Sequence, residues 1–338
     1  MKITKKILYF FILGAMFTSC ENNDWEFPDT DTTTVSFATQ SPVRTITLGD
    51  DVYDTSLDNE HKCQIMAVWG GGYSPKSDIK VNIAVDNSLC DGLSFDNGNP
   101  VTPLPDTHYT INSNQITIPA GKVLGGVEVQ FTDAFFNDPK AISLNYVIPV
   151  KITGADGVTS VLENKNYTLY AVKYINKWHG NWLSSGTDVI DDNGTVTTEK
   201  RTAEYVEKYE VRTLTTTAYK QVVYPLTTIV KVKNSAGDLV NKEINAELVL
   251  TFDDNDNCTI TTNTEGCTAS GTGKWTRQGA KKAWGDKDRD LLELNYELTY
   301  SYKQSENGPV LYKKYTSEDQ LIMRDRGSKF ETFTPVNN

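Results

Sequence analysis

Ile79-Lys80-Val81-Asn82-Ile83-Ala84-Val85 alternates apolar with polar side chains, the period of a strand with one buried face. Around it lie other short runs rich in β-branched and apolar residues. They are Val35-Ser36-Phe37, Thr45 to Leu48, Gln64 to Trp69, Tyr109 to Ile111, Gln115 to Ile118, Val127 to Phe131 and Tyr146 to Ile152. Turn-forming stretches separate them: Gly70-Gly71-Gly72, Asp86-Asn87 and Asp96-Asn97-Gly98-Asn99-Pro100. No stretch between Val35 and Tyr174 carries an apolar period of 3.6. This spacing predicts a β-sandwich. Pro149 has no N–H to give, so its strand is expected at an edge or with a bulge.

Beyond an expected hinge at Tyr167 to Tyr174 the texture changes. Trp178-His179-Gly180-Asn181-Trp182 opens a half with longer alternating runs: Glu204 to Thr215, Gln221 to Lys233, Glu243 to Phe252, Leu291 to Tyr302 and Leu311 to Tyr315. Up-and-down hairpins of this kind predict a small antiparallel, lipocalin-like β-barrel or a sandwich. Gly273-Lys274-Trp275 and Leu291 to Tyr296 fit its closing strands, with Trp178, Trp182 and Trp275 as core residues. The expected fold class is all-β. The expected division is a leader at 1–20, a tether at 21–34, an immunoglobulin-like sandwich at 35–173 and a lipocalin-like barrel at 174–338.

The succession Tyr109-Thr110-Ile111, Ile116 to Gly121, Val127 to Phe131 and Tyr146 to Ile152 resembles a known domain. It is the N-terminal sandwich, immunoglobulin-like or Calx-β-like, of cell-surface lipoproteins from glycan-utilisation loci of Bacteroides-type bacteria. The second half resembles the C-terminal domain that accompanies it. Both are known as domains of unknown function. The resemblance implies capture of oligo- or polysaccharide beside an outer-membrane transporter and its associated lipoproteins.

The N-terminus fits that setting. Lys2, Lys5 and Lys6 precede an apolar run from Ile7 to Phe17, then Thr18-Ser19-Cys20, the pattern of an export signal ending at a lipidated cysteine. Cys20 is therefore the expected lipid anchor, its acyl chains holding the protein at the outer membrane's cell surface. Residues 21–34, acidic and broken by Pro28, read as a tether. Acidic residues behind the cysteine resemble a surface-export signal, and Asp31-Thr32-Thr33 resembles an O-glycosylation site of the same organisms. Of 33 Lys and Arg, three lie in the leader; the remaining 30 face 44 acids, a net charge of −14. Such acidity argues against nucleic acid as a partner, and against contact with membrane except through the lipid. Cys63, Cys90, Cys258 and Cys267 lack metal-ligand spacing. They read either as the local pairs Cys63–Cys90 and Cys258–Cys267 or as buried free thiols.

No catalytic constellation emerges. His61, His108 and His179 are scattered, no Gly-x-Ser-x-Gly is present, and no pair of acids stands out by spacing. No cofactor is expected. Asp253-Asp254-Asn255-Asp256-Asn257 could offer oxygen ligands to calcium, but lies between alternating strands where Asp and Asn form turns anyway. Sugars present flat C–H faces that proteins meet with Trp and Tyr rings. Trp284, in the polar loop Gly279 to Arg289, and Trp69 and Tyr73, flanking the glycine turn, are the candidate carbohydrate contacts. The expected function is non-catalytic glycan binding. The alternative is an adhesin-like surface protein that binds a host or envelope protein.

Overall fold

The computed structural model describes residues 32–337, so Cys20 and most of the tether lie outside the described residues. The chain builds two β domains. The first contains β1 (Thr34–Phe37), β2 (Pro42–Thr47), β3 (Lys62–Gly70), β4 (Ile79–Val85), β5 (Tyr109–Ile111), β6 (Gln115–Ile118), β7 (Leu124–Phe131), β8 (Tyr146–Asp156) and β9 (Tyr167–Ile175). One sheet runs Ser160–Val161, β1, β3, β7, β5; the other runs β2, β9, β8, β4, β6. Ile79, Val81 and Ile83 of β4 point inward, against Cys63, Ile65, Ala67 and Trp69 of β3 and Val127 and Val129 of β7. The alternation read from the sequence is the inner face of a sandwich.

Three expectations need correction. The presumed hinge at Tyr167 to Tyr174 is β9, an interior strand between β2 and β8. Its continuous apolar character reflects burial on both faces: Val172 and Tyr174 enter the sandwich core, while Leu169 and Ala171 lie under Phe95, Val101 and Phe333. The link between domains is instead Asn176 to His179. Asn176 fixes it by donating to the carbonyls of Ala218 and Gln221 and accepting the N–H groups of Trp178 and His179.

The second is the edge position for Pro149, which lies in an interior strand; the bulge expected as the other possibility is present in that strand. Its missing N–H costs nothing because β8 changes partner there, from Thr102–Pro103 up to Val147 to β4 from Val150 onward. Its register shift falls further on, between Ile152 and Gly154. Third, the last residues do not belong to the barrel. Glu331–Thr332 pair with Val43 and Pro42, and Val336–Asn337 with Ser94 and Leu93, so the chain ends back on the sandwich.

The second domain contains β10 (Gly180–Asp192), β11 (Thr195–Arg201), β12 (Glu210–Ala218), β13 (Gln221–Lys233), β14 (Leu239–Phe252), β15 (Asn257–Thr262), β16 (Cys267–Ala280), β17 (Arg289–Lys303) and β18 (Val310–Asp325). β12 to β18 form a meander, and β18 pairs with β10 from Asp325↔Asn181 to Lys313↔Asp192. β10 also pairs with β12, which closes an antiparallel barrel of eight strands; of the two expected architectures, this is the barrel. Trp178, Trp182 and Trp275 are core residues as expected. Trp178 lies flat on Phe252, centroids 3.9 Å apart, and Trp182 donates its indole N–H to the Trp178 carbonyl at 3.1 Å.

Candidate functional site

β1 is only four residues long and pairs with β3 along Ala67–Gly70. The chain then crosses to the other sheet, so no strand among the described residues covers Lys62 to Met66 on that side. A groove of roughly 470 Å³ runs there, lined by Phe37, Ile65, Met66 and Tyr170 among others. Its polar groups are fixed. Asp58 is buried, pairs with Arg44 and accepts the Thr47 N–H at 2.9 Å; burial raises its pKa, while that bond and Arg44 oppose the rise. The Tyr170 hydroxyl donates to the Gln64 carbonyl at 3.1 Å.

Two aromatic rings stand at the groove in water, Tyr53 at 69% exposure and Phe330 at 79%. Tyr53 belongs to the loop after β2. Hydrogen bonds from Thr55 and Asn59 to the Gly49 carbonyl tie that loop down. Phe330 arrives with the C-terminal return, which Lys173–Glu331 (2.8 Å) and Phe333 against Phe95 (4.8 Å) hold on the sandwich. An apolar trough with fixed polar groups and accessible rings is the chemistry that receives a sugar's C–H faces and hydroxyls.

The three residues nominated from sequence are not brought together here. Trp69 is only 6% exposed, because β3's alternation sends it inward with Ala67 and Ile65; it is a core residue, not a platform. Tyr73 is 68% exposed, but sits in the turn past the far end of β3. It lies beyond the Gly70 end of the strand and does not line the groove. Trp284 is half-buried on the β16–β17 loop, its carbonyl accepting from Arg289 Nε at 3.1 Å. It does not line the groove. Tyr53 and Phe330 were missed although each sits in a polar stretch, the signal that singled out Trp284. Their convergence depends on the C-terminal return, which local pattern does not reveal.

A second recess, of roughly 620 Å³, separates the two domains. Asp253 to Asn257 form a turn at its edge. Asp253 accepts the N–H groups of Asn255 and Asn257 and the Asn257 amide, chiefly the last, which lowers its pKa. Asp254 pairs with Lys220 and Asp256 with Lys177. The carboxylates are thus engaged by the protein itself, as in a plain turn. Among the described residues no group of three or more His, Cys, Asp or Glu is placed to hold a metal. Lys177 Nζ also lies over the Trp178 and Trp275 rings, at 5.1 and 4.5 Å from their centroids, which covers those faces. Arg277 grips Asp50 across the recess through two bonds of 2.9 and 2.8 Å.

The histidines are apart and structurally engaged. His61 lies against Phe136 with ring centroids 4.1 Å apart and planes tilted by 38°, His108 meets Asp138 at 3.1 Å, and His179 Nδ1 accepts the Thr216 N–H at 3.0 Å. All four cysteines of the described residues are free thiols, and three are buried.

Comparison with known proteins fits this division. Residues 177–327 match the family model described as Domain of unknown function (DUF5627), and residues 29–159 match a model described as an N-terminal domain. No curated protein matches significantly. A protein of unknown function from Bacteroides ovatus, solved by crystallography, is 35% identical over 91% of this chain and 100% of its own, with a TM-score of 0.78. A second B. ovatus structure of unknown function is 14% identical over 90% of this chain and 99% of its own, with a TM-score of 0.41. An auxiliary nutrient binding protein from Bacteroides thetaiotaomicron is 13% identical over 86% of this chain and 95% of its own, with a TM-score of 0.39. By its identity to the first of these along nearly its whole length, the chain belongs to that Bacteroides family, two β domains of which the barrel is the DUF5627 domain.

Proposed function

We propose that this protein binds carbohydrate without transforming it, taking a stretch of oligo- or polysaccharide in the groove beside β3. In this reading Cys20 anchors it at the outer surface, where it hands the glycan to an import complex. Tethering beside the transporter would raise the effective concentration of captured glycan. The observation that carries the reading is the placement of Tyr53 and Phe330, two exposed rings on one apolar groove with hydrogen-bonding groups along it.

Recognition of a protein segment by strand addition to the open edge of β3 fits less well. The Gln64 and Met66 carbonyls on that edge already accept from Tyr170 and from the Ala38 N–H.

The test is affinity electrophoresis and calorimetry of the soluble chain against a polysaccharide panel, with Tyr53→Ala and Phe330→Ala alongside. The reading expects binding to at least one polysaccharide class, no breakdown products, and about a tenfold loss for each variant, the worth of one stacked ring. Absence of binding across the panel, or variants that bind like the parent, would overturn it.

A further inference from the structure

The barrel wall is split. β12 pairs with β13 only through Thr215–Ala218, then turns away to join β10 along Gly180–Ser184. β11 takes over the same edge of β10 from Gly186 to Asp192. Among the described residues no strand pairing closes the wall between β11 and the upper part of β13. A chamber of roughly 160 Å³ lies behind that slit, lined by Glu199 and Arg201, Arg212, Leu226 and Thr227, and tyrosines of β13, β17 and β18. An eight-stranded barrel has room for its own side chains or one small ligand. This volume suits several waters or a single sugar-sized ring.

Apart from Glu199 at the exposed mouth, the chamber's charges are matched. Arg201 bonds both oxygens of Asp188 and reaches Asp319, Ser317 donates to Asp188 at 2.6 Å, and Arg212 pairs with Glu210 at 2.7 Å. Tyr224 and Tyr296 each donate to Asp319 at 3.1 Å, leaving their oxygens able to accept. Tyr315 shares a 2.7 Å bond with Thr228. Arg212 Nε is buried without an acceptor. Burial holds the Tyr224, Tyr296 and Tyr300 hydroxyls protonated. An anionic guest would meet no unpaired cation, a cationic one only the solvent-exposed Glu199 at the mouth, and either would lose its hydration. A neutral guest carrying several hydroxyls would meet hydrogen-bonding groups on the tyrosines, Thr227 and Arg212.

We infer that the barrel holds a second ligand chamber, entered through the slit between β11 and β13, that takes a small uncharged polyhydroxylated molecule the size of one sugar ring. It is independent of the sandwich groove. Saturation-transfer NMR on the soluble chain tests it, with glucose, galactose, mannose and myo-inositol as probes at millimolar concentration, and glucuronate and glucosamine as charged counterparts. Leu226→Trp and Thr227→Trp obstruct the slit, and a thermal melt identifies whichever stays folded. The expected result is transfer to a neutral probe, lost in the folded slit variant and kept in Tyr53→Ala. No transfer to any neutral probe, transfer unchanged by the obstruction, or a charged counterpart that binds better would each overturn the inference.

Discussion

Arg326 Nε donates to the Asp50 carbonyl at 3.0 Å, so the end of the last barrel strand holds the loop that follows β2 of the sandwich. The same guanidinium bonds the carbonyls of Lys177 and of His179, the latter at 2.9 Å, and lies 3.8 Å from buried Asp290. One fully buried cation thus joins sandwich, linker and barrel. Gly49 makes room for it: a Cβ there would come within 2.5 Å of the guanidinium, at a φ of +89°. Arg326→Leu should cost about 3–5 kcal/mol, because it leaves buried Asp290 without its cation and three carbonyls without their donor. Arg277→Ala, which opens a solvent-exposed pair with Asp50, should cost under about 1 kcal/mol. Urea unfolding of both variants checks this, and an Arg326→Leu protein as stable as Arg277→Ala would refute the assigned role.

The thiols should be inert while the protein is folded. Burial pushes Cys63 and Cys258 up to about 12 and Cys90 to about 11, and it also raises Cys267. Almost no thiolate is then present at neutral pH. Iodoacetamide should label the native soluble chain slowly, with half-exposed Cys267 first, and all four sites once guanidinium unfolds it. No reductant should be needed. Labelling that required one would mean that disulfides form after all.

The sandwich was legible because its strands obey simple rules. Ile79 to Val85 and Gln115 to Ile118 are strands at the bounds their alternation predicts. The barrel was less so, for a chemical reason. β18 was read only as Leu311 to Tyr315 but runs to Asp325, and the whole of β10 was passed over. On both strands the inward positions include Ser184, Asp188, Ser317 and Asp319, whose polarity hides the apolar period. They are buried because Arg201 and two tyrosines meet them, a match made by distant residues. The same non-locality concealed the groove. Trp69 looked like a loop-tip ring because three glycines follow it, yet strand parity places it in the core.

His179 should make the fold acid-sensitive. Its Nδ1 accepts a backbone N–H, and burial, helped by Arg326 and Lys173, pushes its pKa down from 6.5 to about 4. Between those values the unfolded chain binds a proton that the native one excludes. Stability therefore rises with pH through that window and is lost as pH falls from 6.5 towards 4, by up to about 3 kcal/mol. His179→Gln should keep an acceptor and remove the titration, giving a flatter profile of unfolding free energy. Equal slopes in parent and variant would assign the acid sensitivity elsewhere.

Arg201 is the complementary case, a cation whose removal should be repaired by acid. Burial opposes its charge, but Asp188 and Asp319 more than compensate and hold its pKa above the ordinary value. Both carboxylates use the same guanidinium nitrogen, so they lie close together once it is gone. Arg201→Met should therefore cost about 3–5 kcal/mol at neutral pH. Two like charges in so dry a place favour protonation of one, which raises a carboxyl pKa that burial already raises for Asp319. A carboxyl with a raised native pKa binds its proton more tightly folded than unfolded, so the variant regains stability as pH falls through that value. The stability difference between parent and variant should shrink from pH 7 to pH 5, and His179, present in both, cancels from it. Unfolding curves at the two pH values decide the matter: a deficit that stays constant would mean that Arg201 holds β11 in place by packing and not by neutralising the two acids.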